Sequence, residues 1–223
     1  MSVKKRFQVL AGVIALIGML AILFVCIRKY MPSSQRMSSE EYFGQLGETE
    51  AAIVVGDHIA QEHAQIYDGN VYIDYTLVQN ELNARFHWDA SAGLLLFTTP
   101  TQIFEIEPNA SSYTVDGESF DAGYDILHTT SSGMYLSMTF LQQYSDLDCQ
   151  VYDTPKRVVI TLGSKEITTA RIKKDTVVRY QGGIKSPILT DVTEDTVVTV
   201  IEQMDSWSKI LTADGYIGYV KNR

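Results

Sequence analysis

One run of residues limits this chain more than any other feature. Phe7 to Ile27 is 21 residues long, and Gln8 is its only strongly polar member. As a helix it measures roughly 31 Å at about 1.5 Å per residue, enough to cross the hydrocarbon core of a bilayer. Lys4, Lys5 and Arg6 precede the run; Arg28 and Lys29 follow it. With the free amino terminus added to the front cluster, the positive-inside bias places the N-terminus in the cytoplasm and the remainder outside it. A cleaved signal peptide has a shorter apolar stretch and a small-x-small site. Here the run ends in the bulky Phe24-Val25-Cys26-Ile27-Arg28. A lipoprotein signal needs a small residue before the cysteine, where Val25 stands. A buried core helix is rarely apolar on every face at this length. Residues 1–30 therefore read as a cytoplasmic tip and an uncleaved transmembrane signal-anchor, with the bulk of the chain outside the plasma membrane. Cys26 then lies in the membrane and cannot reach Cys149, so no intrachain disulfide is expected.

The net charge of −9 is an average over three unlike parts. Residues 1–36 carry six Lys/Arg and no acid; residues 37–163 carry 3 basic and 19 acidic side chains; residues 164–223 carry 9 and 8. The acidic middle has no phosphate-neutralising surface, so nucleic acid is not an expected partner. Two cysteines and four histidines leave little for a zinc cluster.

Met31 to Ser39 reads as a short polar tether within a linker over 31–50, and Ser38 and Glu41 have capping-box spacing. Beyond it the chain is rich in strand signals and similar to itself at a spacing of about 63 residues. Val71-Tyr72-Ile73-Asp74-Tyr75-Thr76-Leu77-Val78 aligns with Met134-Tyr135-Leu136-Ser137-Met138-Thr139-Phe140-Leu141. Trp88-Asp89 aligns with Tyr152-Asp153, and Leu94 to Phe97 with Val158 to Thr161. In the first unit Tyr67-Asp68-Gly69-Asn70 is a hairpin signal. Thr76 to Ala84 has helical spacing, with Thr76 placed to cap. A hairpin then turns at Ala90-Ser91-Ala92-Gly93. The second unit repeats this with Ser131-Ser132-Gly133, a helix near Thr139 to Tyr144, and a turn at Asp153-Thr154-Pro155-Lys156. Each unit is predicted to be a small sheet with one short helix, an α+β module, over 51–110 and 111–170.

The succession of Asp-Gly-x-Val-Tyr-Ile, short helix, Trp-Asp, four-residue turn and aliphatic strand resembles the copper amine oxidase N-terminal-like stalk domain. The resemblance implies a non-catalytic module of Gram-positive surface proteins and carries no metal. Asp74 and Ser137 stand where that family usually has proline.

Residues 171–223 change texture. Thr176 to Tyr180, Ile184 to Leu189, Thr196 to Ile201, Trp207 to Ile210 and Gly215 to Val220 are five predicted strands with regular turn signals, the pattern of a small all-β barrel. Asp214-Gly215 reads as the last hairpin turn, and Gly218 within a strand marks a close approach of another backbone or a bulge. This order resembles a bacterial SH3-like domain, which implies a place beside cell-wall enzymes and contact with peptidoglycan or another wall glycan. The acidic middle would be repelled by anionic wall polymers, leaving the near-neutral barrel as the contact surface.

No catalytic constellation is present: there is no nucleophile elbow, HExxH or phosphate loop. His58 and His63 are five apart and do not converge as metal ligands. His87 and His128 stand alone. Asp116, Glu118, Asp121, Asp125, Asp146 and Asp148 read as a solvated acidic face, and Cys149 as a small core residue. No metal or cofactor is expected. The candidate ligand residues are Trp207, Tyr216 and Tyr219, as an aromatic groove on the barrel, although in a barrel this small at least one of them must be core. The order of anchor, stalk-like repeats and SH3-like barrel resembles the front of Gram-positive family 18 glycoside hydrolases. That implies either a stand-alone wall-contacting spacer protein or the accessory region of such a chitinase-like or wall-glycan hydrolase, with its catalytic barrel absent. A scaffold for a membrane complex, with a protein partner, is the third reading.

Overall fold

The computed structural model describes residues 3–163 and 166–222, with side chains described from Gly12 onward. Helix α1 (Val3–Tyr30) takes in the whole apolar run. Its Gly12–Tyr30 stretch has a mean hydropathy of 2.2, and none of it is buried against the rest of the chain. By length and composition this helix can cross a bilayer. A five-residue helix α2 (Ser39–Phe43) follows, and Ser38 Oγ accepts the Glu41 N–H at 3.1 Å, as the capping-box spacing predicts.

The middle of the chain opens with strands β1 (Glu50–Val55), β2 (His58–Tyr67) and β3 (Asn70–Asp74). Next come α3 (Tyr75–Leu77), a π-turn over Val78–Leu82, and the hairpin β4 (Phe86–Asp89) and β5 (Leu94–Thr98). Strands β6 (Ile103–Ile106), β7 (Ser112–Val115) and β8 (Glu118–Asp121) extend that hairpin into a five-stranded sheet. Then follow β9 (Leu127–Thr130), β10 (Gly133–Ser137), α4 (Met138–Tyr144), β11 (Leu147–Asp153) and β12 (Lys156–Leu162).

The first strands of both self-similar segments share one seven-stranded sheet, in the order β11-β12-β1-β2-β3-β10-β9, whereas the equivalent later hairpins, β4–β5 and β11–β12, fall in different sheets. Within the seven-stranded sheet β3 pairs antiparallel with β10, and Ile73 lies directly opposite Leu136. These two residues occupy equivalent places in the two segments, so a local two-fold axis passes between them. Both are fully buried in a single apolar core that also takes in Phe86, Phe97 and Phe140. Burying side chains of this size contributes roughly 1.5–3 kcal/mol each. The 110/111 division expected from sequence falls between β6 and β7, which are paired strands of one sheet.

Local chemistry accounts for the turns. Asp68 (φ 50°) and Gly69 (φ 80°) form the two-residue turn that sets Tyr67 opposite Asn70. One detail departs from expectation. Asp74, not Thr76, caps the first helix, its Oδ1 accepting the Thr76 N–H at 2.7 Å. The chain leaves β3 at Asp74 itself, so the capping position comes two residues early. The helical turn is also shorter than expected and closes as a π-turn, with Asn83 N donating to Val78 O at 2.7 Å.

The C-terminal part comprises β13 (Thr169–Arg171), β14 (Thr176–Arg179), β15 (Ile188–Val192), β16 (Val197–Gln203), β17 (Trp207–Leu211) and β18 (Ile217–Lys221). Their order is β13-β16-β17-β18-β14-β15, around a core of Val178, Leu189, Val192, Val198, Ile210 and Val220. The second strand starts at Ile188, later than the expected Ile184. Residues 181–187 instead form a loop, folded by Ser186 N donating to Gly183 O at 3.1 Å and Gln181 N to Ser186 Oγ at 2.7 Å.

The expected tether is also different. Residues 33–37 lie along β15, with Arg36 bridging to Ile188 and Met37 N donating to Ile188 O at 2.9 Å. Arg36 is paired with Asp191 at 2.6 Å. Sequence pattern read Met31 to Ser39 as a short polar tether; the open edge of β15 supplies the partner that holds it in place through an isolated bridge.

Candidate functional site

The barrel's aromatic groove is built by the β17–β18 hairpin and the 181–187 loop. Trp207 pairs with Lys221, and Lys209 with Tyr219. Trp207 and Tyr219 are therefore diagonal neighbours on one face of the hairpin. Gly182 lies over both rings: a Cβ there would come 3.4 Å from Trp207 Cγ and 3.5 Å from Tyr219 Cδ1. The same residues, with Gln181, Met204 and Asp205, line an open groove of about 570 Å³.

Gly218 sets the position of Tyr219. A Cβ at 218 would lie 2.6 Å from the Arg179 carbonyl oxygen and 2.6 Å from Val178 Cγ1. Strand β14 thus crosses directly over β18, with Arg179 opposite Tyr219. The buried Arg179 guanidinium then ties the groove's loop to the chain leaving α1. It donates to Ser186 O at 2.6 Å and to Ser33 O at 3.1 Å. Desolvation pulls its pKa below the ordinary arginine value.

Tyr216 does not join the groove. Its ring stacks on Tyr42 at 5.5 Å and meets Phe43 at 5.2 Å, where the barrel packs on the seven-stranded sheet. Tyr42 Oη donates to Ile217 O at 2.7 Å and accepts from Ile217 N at 2.8 Å, and burial raises its pKa. At the centre of this joint is Arg157, 4% exposed, its guanidinium 5.2 Å from the Tyr216 ring centre and 4.7 Å from that of Tyr152.

The other sequence candidates lie apart from the groove. His58 faces Glu81 at 3.2 Å, His63 faces Glu50 at 3.3 Å, and His128 packs on Tyr67 at 4.6 Å. Asp116 accepts the Ile103 N–H at 3.0 Å, and Asp121 accepts that of Gly123 at 2.9 Å. Among the described residues no three His, Cys, Asp or Glu side chains gather into a metal site. Sequence reasoning passed over Gly182 and Arg179. The Gly182-Gly183 pair between two strands was the available sign of a loop held against something.

The groove thus sits on a small six-stranded antiparallel unit. In comparison with known families, residues 174–223 match the bacterial SH3 domain family. No curated protein and no solved structure matches the chain.

Proposed function

We propose that this chain is a membrane-anchored, extracytoplasmic surface protein without catalytic activity, whose barrel contacts the cell wall through the Trp207–Tyr219 groove. The observation that carries this reading is the bacterial SH3 match over the segment that bears an open, aromatic-walled groove. Aromatic faces suit sugars and peptides, because they supply a large contact area at little entropic cost. The exposed apolar helix supports the anchor. The near-balanced charge of 164–223, beside an acidic 37–163, supports the barrel as the contact surface for wall material. The facing of Ile73 and Leu136 supports reading the body as a duplicated, stalk-like unit.

The test is co-sedimentation of the full chain, in detergent and at low salt, with purified peptidoglycan. Retention is expected, and Trp207→Ala is expected to weaken it about tenfold, equal to about 1.4 kcal/mol. Wild-type protein left wholly in the supernatant overturns the reading. The succession of anchor, body and barrel supports a second reading, the accessory region of a family 18 glycoside hydrolase. The open reading frame beyond Arg223 tests it: a catalytic barrel of about 250 residues supports it, and an immediate stop codon rules it out.

A further inference from the structure

The groove's loop is bonded to the end of the apolar helix. Lys185 Nζ donates to the Arg28 carbonyl and to the Met31 carbonyl, the latter at 2.6 Å. These are carbonyls of the last helical turn and the residue after it, which have no partner within the helix. Ser33 N donates to Ile184 O at 2.7 Å, and Arg179 holds Ser33 from the other side. These bonds to the barrel begin within the last turn of α1, at Arg28, and only Met31 and Pro32 lie between the helix end and Ser33.

The depth of this contact follows from the span. Phe7 to Ile27 fills roughly 30 Å of hydrocarbon, so Arg28 begins the headgroup layer. That layer is about 5–8 Å thick on each side. An ammonium bonded to Arg28 O and Met31 O lies within it. Gly182 is three residues from Lys185, at most about 11 Å of chain.

We infer that the barrel lies on the membrane surface, with the 181–187 loop and the Trp207 rim of the groove among phospholipid headgroups. The inference rests on the transmembrane reading of α1. Arg28, Lys29 and Lys185 bring three positive charges to this level, complementary to lipid phosphates. Tyr30 and Tyr180 are 69% and 45% exposed, and Met204, on the groove, is 36% exposed. Aromatic rings with a polar end favour this layer. The two body segments therefore do not carry the barrel away from the bilayer, and a wall ligand for the groove must come to the membrane surface.

Depth-dependent quenching in lipid nanodiscs of the full chain tests this. Discs contain phospholipid brominated either near the headgroup (carbons 6 and 7) or deeper (carbons 11 and 12). Wild type minus Trp207→Phe isolates Trp207 emission. Gly183→Trp minus wild type reports the loop, at a position where an added Cβ meets nothing within 4 Å. Both signals are expected to fall at least twofold with shallow bromine and less with deep bromine. Full emission from both in the shallow-bromine discs overturns the inference, as does blue-shifted emission that bromine leaves unchanged, which would place protein over the loop. Lys185→Glu is expected to weaken the quenching of the loop reporter; unchanged quenching also counts against the docking. Flotation of the same protein with lipid vesicles is scored separately: failure to float refutes the anchor, whereas floating without quenching refutes only the docking.

Discussion

Arg157 and Cys149 mark two ways a polar side chain is settled in this molecule. Arg157 is buried but satisfied. It donates to the Asp214, Thr154 and Pro155 carbonyls and pairs with Asp214 Oδ2 at 3.4 Å, while three aromatic rings surround its plane. Cys149 is half-buried on β11, and burial pushes its thiol up to about 11, with nearby Asp148 adding to the effect. An acid whose pKa is raised by folding favours the folded state only while it is protonated. Its contribution to stability is therefore complete below about pH 9, the ordinary value here, and declines as pH rises toward 11. In Cys26→Ser protein at pH 8, Cys149 should react with a maleimide about 100-fold more slowly than in the denatured chain; equal rates would refute the burial argument. The inert reading of Cys149 was available from its place in a predicted strand, beside Gln150-Val151-Tyr152. Arg157 was not: nothing local indicates that this cation, next to a turn, enters a cage built from residues 43, 152 and 216.

At the scale of the element, the β14–β18 crossing determines whether the groove exists. Gly218 allows two backbones to touch, and the hairpin then presents Trp207 and Tyr219 on its outer face. Gly218→Ala drives a methyl into a backbone carbonyl, which cannot give way as a flexible side chain would. It should destabilise the barrel by about 3 kcal/mol or more, seen as a lower denaturation midpoint in Trp207 fluorescence. An unchanged midpoint would show that the strands separate readily. Sequence pattern placed four of the five expected barrel strands within a few residues, because alternation and turn chemistry are local. It misplaced the strand beginning at Ile184, where an apolar residue sits in a loop that docks on α1. It also grouped Tyr216 with Tyr219. Strand β18 begins only at Ile217, and an odd offset of three points the two rings in opposite directions.

Across the whole molecule, the joint between barrel and body joins three parts of the chain. Helix α2 is wedged between them. Phe43, Val54 and Val159 are buried there, with Tyr42, Leu211 and Tyr216 packed against them. Such a joint makes body and barrel unfold together. Tyr216→Ala removes the ring that stacks on Tyr42 and covers Arg157. The single calorimetric transition expected for wild type should then split in two, with the barrel melting first. One unshifted transition would show that the joint contributes little.

The sequence by itself determined the apolar helix, most turn positions, the capping of α2 and the C-terminal barrel. Each depends on residues within a few positions of one another: an unbroken apolar run, Asp-Gly turns, an alternating strand. The tertiary structure alone decided that β3 of the first segment pairs with β10 of the second, that β1 lies parallel to β12, and that residues 33–37 lie along β15. It alone seated Lys185 on the end of α1. These contacts join positions about 60 to 160 residues apart. Many strands in this chain have compatible edges and alternation, so local pattern does not select among them. The choice is made by which apolar faces can be buried together.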